Sequence, residues 1–192
     1  MRARRKALTK PERDAAERAA AEKVEALAFF REAGTVAAYM ALGSELDPEA
    51  IVREALRLGK KVALPVTVGR ELIFRLVPDL DPGNFRLGAY GIREPREELP
   101  IWDLREEKEK VLWLIPGLAF DKECGRLGQG GGYYDKILKE IRSLEGPGQL
   151  CAGLAFDCQI AEKIPREPWD RAVDLVITPG NIFCNNRNIL EE

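Results

Sequence analysis

At 192 residues, with 45% hydrophobic and 32% charged side chains, the chain has the size and composition of one soluble globular domain, and residues 1–192 are read as a single domain with one site. Lysine and arginine number 30 against 32 acidic residues, and this net charge of -2 gives no field to collect nucleic acid or an anionic membrane, so neither partner is expected. The count of histidines is 0, which excludes Ser-His-Asp hydrolysis, Cys-His acyl transfer and histidine-ligated zinc.

Four basic residues lie within Met1 to Lys6, but no apolar secretory run follows them. Thr9 and Glu12 stand in capping-box spacing with Pro11 in the first turn, and Ala16, Ala20, Val24 and Leu27 repeat at helical spacing. One long helix ending near Gly34 is predicted. The apolar stretch Thr35 to Leu42 reads as a buried strand, Pro48 to Leu58 as a helix stopped by Gly59, and Lys61 to Val66 as a second strand. Leu72 to Val77 reads as a further strand, whereas Asp79 to Leu99, rich in Pro, Gly and charge, is expected to wander over the surface.

Val111 to Ile115 is a short apolar run that delivers the chain through Pro116-Gly117 into a glycine-rich segment. Ile137, Leu138 and Ile141 then fall at helical spacing over Tyr133 to Ile141, and Cys151 to Phe156 and Val173 to Thr178 read as two more buried strands. Strands alternating with helices predict an α/β fold with a mostly parallel central sheet flanked by helices. Cys124, Cys151, Cys158 and Cys184 contain no C-x-x-C pair and read as ordinary thiols. No apolar stretch is long enough to span a bilayer, and the cytoplasm is the expected compartment.

The glycine-rich segment runs Gly-Leu-Ala-Phe-Asp-Lys-Glu-Cys-Gly-Arg-Leu-Gly-Gln-Gly-Gly-Gly-Tyr-Tyr-Asp from Gly117 to Asp135. Glycine lets backbone approach a ligand closely, and N–H groups ahead of a helix favour an anion. The Walker pattern is absent and G-x-G-x-x-G does not fit. Arg126 offers a fork of donors for phosphate oxygens, Asp135 a hard carboxylate for magnesium, and Tyr133 and Tyr134 ring faces or hydroxyls for a heterocycle. The alternative is a glycine-rich surface turn followed by a helix with packed tyrosines.

R-L-G-x-G-x-G-Y-Y-D preceded by P-G-L-A-F-D resembles the signature loop of the 5-formyltetrahydrofolate cyclo-ligases, also called methenyltetrahydrofolate synthetases. Weaker resemblances lie in R-A-R-R-K-A-L-T near the start, A-L-G-S-E-L-D at 41 to 47, Leu64-Pro65, Y-G-I-R-E-P at 90 to 95 and the strand after Trp169-Asp170. The resemblance implies a fold similar to the sugar-phosphate isomerase and CoA transferase-like proteins, and a monomer. It implies MgATP-dependent closure of 5-formyltetrahydrofolate to 5,10-methenyltetrahydrofolate with release of ADP and phosphate, the formyl oxygen being phosphorylated and N10 closing the ring.

Carried over by position, the resemblance implies that Arg126, Leu127, Gly128, Gln129, Gly130, Gly131, Gly132, Tyr133, Tyr134 and Asp135 line ATP, with Arg126 and Asp135 catalytic. Gly130 through Tyr134, Met40 and Glu45 are implied to meet the folate, one tyrosine ring facing the ligand and one the core. Asp135 and Asp170 are the implied Mg2+ ligands. The family's upstream Lys-x-x-Leu-Arg segment has no match here, and Arg2, Arg4, Arg5 and Lys6 fall one or two helical turns later, where a solvated basic face is expected. Trp169 stands where a histidine commonly precedes the aspartate. Two competing readings are a non-catalytic nucleotide- or folate-binding member of the family and a sugar-phosphate isomerase or CoA transferase relative; consumption of ATP separates them from the ligase.

Overall fold

The computed structural model describes residues 1–88, 91–144, 148–165 and 171–185. The chain opens with the short helix α1 (Arg2–Ala7), followed by α2 (Lys10–Ala26). Thr9 caps α2 through the expected reciprocal box with Glu12, which satisfies two N–H groups that the first turn leaves open. The predicted single helix is in fact two. Leu27 takes an extended conformation, φ -64° and ψ 133°, and α3 (Ala28–Glu32) restarts beyond it. This break turns Phe30 and Ala33 into the core, where each is 1% exposed.

Strand β1 (Thr35–Ala37) is shorter than the predicted run to Leu42. After Ala38, whose N–H still reaches the Ala63 carbonyl at 3.0 Å, the chain leaves the ladder. Helix α4 (Glu49–Arg57) ends ahead of Gly59, whose φ of 74° a side chain would resist, and strands β2 (Lys61–Val68) and β3 (Glu71–Leu76) form a hairpin. The stretch expected to wander includes a second hairpin, β4 (Phe85–Leu87) with β5 (Arg93–Pro95), which brings Glu94 to 4% exposure.

The remaining elements are β6 (Ile101–Trp102), β7 (Val111–Ile115), β8 (Ala119–Asp121), β9 (Arg126–Leu127), α5 (Tyr133–Ile141), β10 (Gln149–Leu154), β11 (Ile160–Ala161), β12 (Leu175–Ile177) and β13 (Ile182–Cys184). Eight strands form the main sheet in the order β13-β12-β10-β7-β1-β2-β3-β6. The five central strands, β12 through β2, are parallel; β13 and β3 run antiparallel to them on either side, and β6 pairs antiparallel with β3 at the edge.

Alternation along β7 divides the core. Leu112 and Leu114 face a layer with Val24, Phe30 and Ile51 from α2, α3 and α4, while Val111, Trp113 and Ile115 face Phe120 and Leu138, from β8 and α5. Both faces of the parallel strands are thus covered, which is why they read as continuous apolar runs. From β1 the chain builds toward β2 on one side and returns to β7 on the other. The β1/β7 junction is therefore a topological switch point, where α/β sheets open a crevice beyond the strand ends.

Candidate active site

A cavity of about 380 Å3 opens at that crevice. Tyr39 and Met40 enter it as the chain leaves β1, Pro116 and Gly117 as it leaves β7, and residues of the glycine loop and the start of α5 close a second wall. Pro65, Thr67, Leu72, Ile92 and Glu94, from β2, β3 and the β4–β5 hairpin, close a third.

The loop is organised by a buried acid. Asp121, 1% exposed, accepts N–H bonds from Glu123 at 3.0 Å, Gly125 at 2.7 Å and Ile164 at 2.9 Å, holding the β8–β9 turn closed around Cys124, whose φ is 61°. Gln159, equally buried, donates to the Gly117 and Leu118 carbonyls at 2.9 and 3.3 Å and pins the exit of β7. These two residues fix where Arg126 starts. A Cβ at Gly117 would lie 2.6 Å from the Phe120 ring, and one at Gly128 3.2 Å from Arg126 Nη1, so the glycines allow ring and guanidinium to pack directly on backbone.

The Arg126 side chain is 4% exposed, donates to Asp135 and to the Pro116 carbonyl at 3.3 Å, and has no partner for its buried Nε. Gly132 ends the loop at φ 69° as the N-cap of α5, with no side-chain cap on the helix N–H groups. Tyr133 donates to the Gly69 carbonyl at 3.4 Å, and Lys136 to the Arg70 carbonyl at 3.0 Å, tying the start of α5 to the β2–β3 turn. Tyr134 packs against both core layers, and burial, reinforced by the nearby Glu45, raises its phenol well above the usual range.

Glu45, 9% exposed, accepts the Leu42 N–H at 3.0 Å and the Gln129 side-chain amide at 2.6 Å, so the loop after β1 and the glycine loop are joined across the cavity mouth. Burial raises its carboxyl, while those two bonds and the Arg5 charge pull it down. Arg5 corrects the expectation of a solvated basic face. It is 3% exposed, with Nη1 3.5 Å from the Gly117 carbonyl and Nε without a partner, whereas Arg2, Arg4 and Lys6 are exposed as expected. Arg2 reaches the Gln129 side-chain oxygen at 3.3 Å.

Met40, Glu45, Arg126, Gly128, Gln129, Gly131, Gly132, Tyr133, Tyr134 and Asp135 are brought together on the cavity lining. Leu127 and Gly130 are not on it; Leu127 pairs with Ala119 in the β8–β9 ladder, and Gly130 turns the loop at φ 96°. Asp170 and Trp169 lie outside the described residues. Tyr39, Thr67, Leu72 and Glu94 also line the cavity and were not singled out from the sequence, although Glu94 stands in the Y-G-I-R-E-P segment.

The orphaned Arg126 Nε, the glycine cradle and the uncapped start of α5 fit a phosphate group. Among the described residues no cluster of three or more His, Cys, Asp or Glu could hold a metal alone. Asp135, 49% exposed in its side chain, fits magnesium only as one carboxylate sharing the ion with phosphate oxygens and water.

Fold and cavity define an α/β protein with a small-molecule site at a switch-point crevice. The model of the "5-formyltetrahydrofolate cyclo-ligase family" matches residues 1–179. The 5-formyltetrahydrofolate cyclo-ligase of Escherichia coli (strain K12) is 32% identical over 187 residues, covering 95% of this chain and 98% of that protein. That of Mycolicibacterium smegmatis is 35% identical over 151 residues, covering 76% and 73%. The NMR structure of Aquifex aeolicus 5,10-methenyltetrahydrofolate synthetase superposes with a TM-score of 0.77 at 31% identity, covering 95% of this chain and 88% of that one. A 5,10-methenyltetrahydrofolate synthetase from Mycoplasma pneumoniae shares the fold, with a TM-score of 0.69 at 22% identity over 92% of each chain. The chain belongs to the 5-formyltetrahydrofolate cyclo-ligase family.

Proposed function

We propose that this chain converts 5-formyltetrahydrofolate to 5,10-methenyltetrahydrofolate at the β1/β7 crevice, with MgATP as the phosphoryl donor and ADP and phosphate as co-products. The observation that carries the reading is a nearly covered guanidinium, Arg126, with an unpartnered Nε between a glycine cradle and an uncapped helix start. A formamide oxygen is a poor leaving group, and ATP supplies the phosphoryl group that makes it a good one. The work left to the protein is alignment and charge neutralisation.

Arg126 and the N–H groups of Gly131 and Gly132 would hold phosphate oxygens, and Asp135 would hold magnesium, which neutralises phosphate charge. Asp170 is the further carboxylate for the ion. Met40, Tyr133 and Tyr134 border the folate, and Glu45 orients it while its bond to Gln129 keeps the glycine loop over the mouth. No histidine or covalent nucleophile is needed for such a step, in keeping with the composition. In this reading the chain acts as a monomer.

The test is ADP release. We expect it to require both magnesium and 5-formyltetrahydrofolate, one ADP per folate consumed. Nucleotide and folate that bind with no ADP formed would make the chain a binding protein instead.

A further inference from the structure

The wall built by β2, β3 and the β4–β5 hairpin is mainly apolar, from Pro65, Leu72 and Ile92, with Thr67 and one carboxylate as its polar members. Glu94 is 4% exposed, and its Oε1 accepts the Thr67 N–H at 3.1 Å. Glycine at 88 leaves room for the other oxygen, because a Cβ there would lie 2.1 Å from Glu94 Oε2. The adjacent Arg93 turns away and pairs with Glu49 at 3.2 Å, and among the described residues no cation lies within salt-bridge distance of Glu94.

A carboxylate accepts up to about four hydrogen bonds, and among the described residues this buried one in a cavity wall accepts one. Burying such a group without partners is costly, so its position calls for donors from the ligand. Those donors must sit on a body that tolerates apolar walls. A reduced folate carries them: the pyrimidinone edge of its pterin presents N3–H and the 2-amino N–H side by side, the fork that a carboxylate takes bidentately.

Resting on the folate reading above, we propose that Glu94 is the residue that reads the pyrimidinone edge of the substrate, the pterin lying against Leu72 and Ile92. The ribose hydroxyls of a nucleotide are the other paired donors of this kind. They would place the nucleoside on the apolar wall, away from Arg126 and the glycine loop, which lie on the wall formed by residues 116–135.

Glu94→Gln keeps the size of the side chain and an oxygen for Thr67 but replaces one acceptor by a donor. Calorimetric titration should show its affinity for 5-formyltetrahydrofolate reduced about ten- to a hundredfold, with ATP affinity unchanged. The 2-desamino analogue of 5-formyltetrahydrofolate should bind the parent more weakly by a similar factor and lose nothing further in Glu94→Gln. Loss of ATP affinity alone would assign Glu94 to the ribose, and unchanged affinity for both ligands would make it structural; either overturns the proposal. If Glu94→Gln does not fold, the desamino analogue decides on the parent, equal binding of both folates being the contrary result. A parent that binds no 5-formyltetrahydrofolate at all would overturn the folate reading itself, and this assignment with it.

Discussion

A guanidinium that is 4% exposed and still lacks a partner for its Nε is only partly compensated by Asp135 and the Pro116 carbonyl. Preorganised donors of this kind stabilise charge that develops during transfer, and losing one costs about 2.7–4 kcal/mol. Arg126→Ala should therefore lower kcat at saturating ATP about a hundredfold or more; an unchanged kcat would remove its role. Two buried carboxylates predict opposite responses to pH. Glu107 is held at about 2, its burial outweighed by donation from Trp102, the Glu109 N–H, Thr35 and Lys61, against an ordinary 4.5. Its contribution is complete above pH 4.5 and fades as pH falls through about 2. Glu45, raised by burial, does the reverse: its contribution is complete below its ordinary 4.5 and fades as pH rises through the raised value. Thermal unfolding across pH should show Glu107→Gln less stable at pH 7 with a flatter acid limb, and Glu45→Gln with a flatter fall on the alkaline side of pH 4.5.

At the scale of elements, the glycine loop depends on a turn that its own glycines do not hold. Asp121 closes β8–β9 through three N–H bonds, and Asp121→Ala would leave those donors unpaired in the interior. A cost of about 2–4 kcal/mol in urea unfolding is expected, with activity lost in proportion to misplacement of Arg126. A stability within a few tenths of the parent would show that the turn stands without it. Strands β8 and β9 were not readable beforehand, because runs of three and two residues carry no periodicity. Helix α5, by contrast, was legible to its ends, since Ile137, Leu138 and Ile141 repeat at its period and glycine precedes it. The break at Leu27 left no mark because leucine suits a helix interior, and only the packing of Phe30 and Ala33 calls for it.

Over the whole molecule, the parallel core was legible because strands covered on both faces are apolar without alternation, as Val111 to Ile115 is. Their order was not, since placing β1 between β2 and β7 depends on crossover connections that no local pattern encodes. That order makes the crevice. Of the candidate site, the loop from Arg126 to Asp135 stood out by its glycines, although these alone fitted a surface turn as well, and its assignment came from the family resemblance. Arg5 reads like any other residue of a basic stretch, and its burial is decided by the corner at Gly117. Glu94 stood in a polar segment and gained its meaning only when the β4–β5 hairpin carried it to the cavity. The central claim is that this one crevice couples a phosphoryl donor to closure of a formyl group onto the folate's second nitrogen. Absorbance of 5,10-methenyltetrahydrofolate, followed as purified protein meets 5-formyltetrahydrofolate and magnesium with and without ATP, tests it most directly. Product forming only with ATP is the predicted result; product forming equally without ATP, or none in either case, would contradict it.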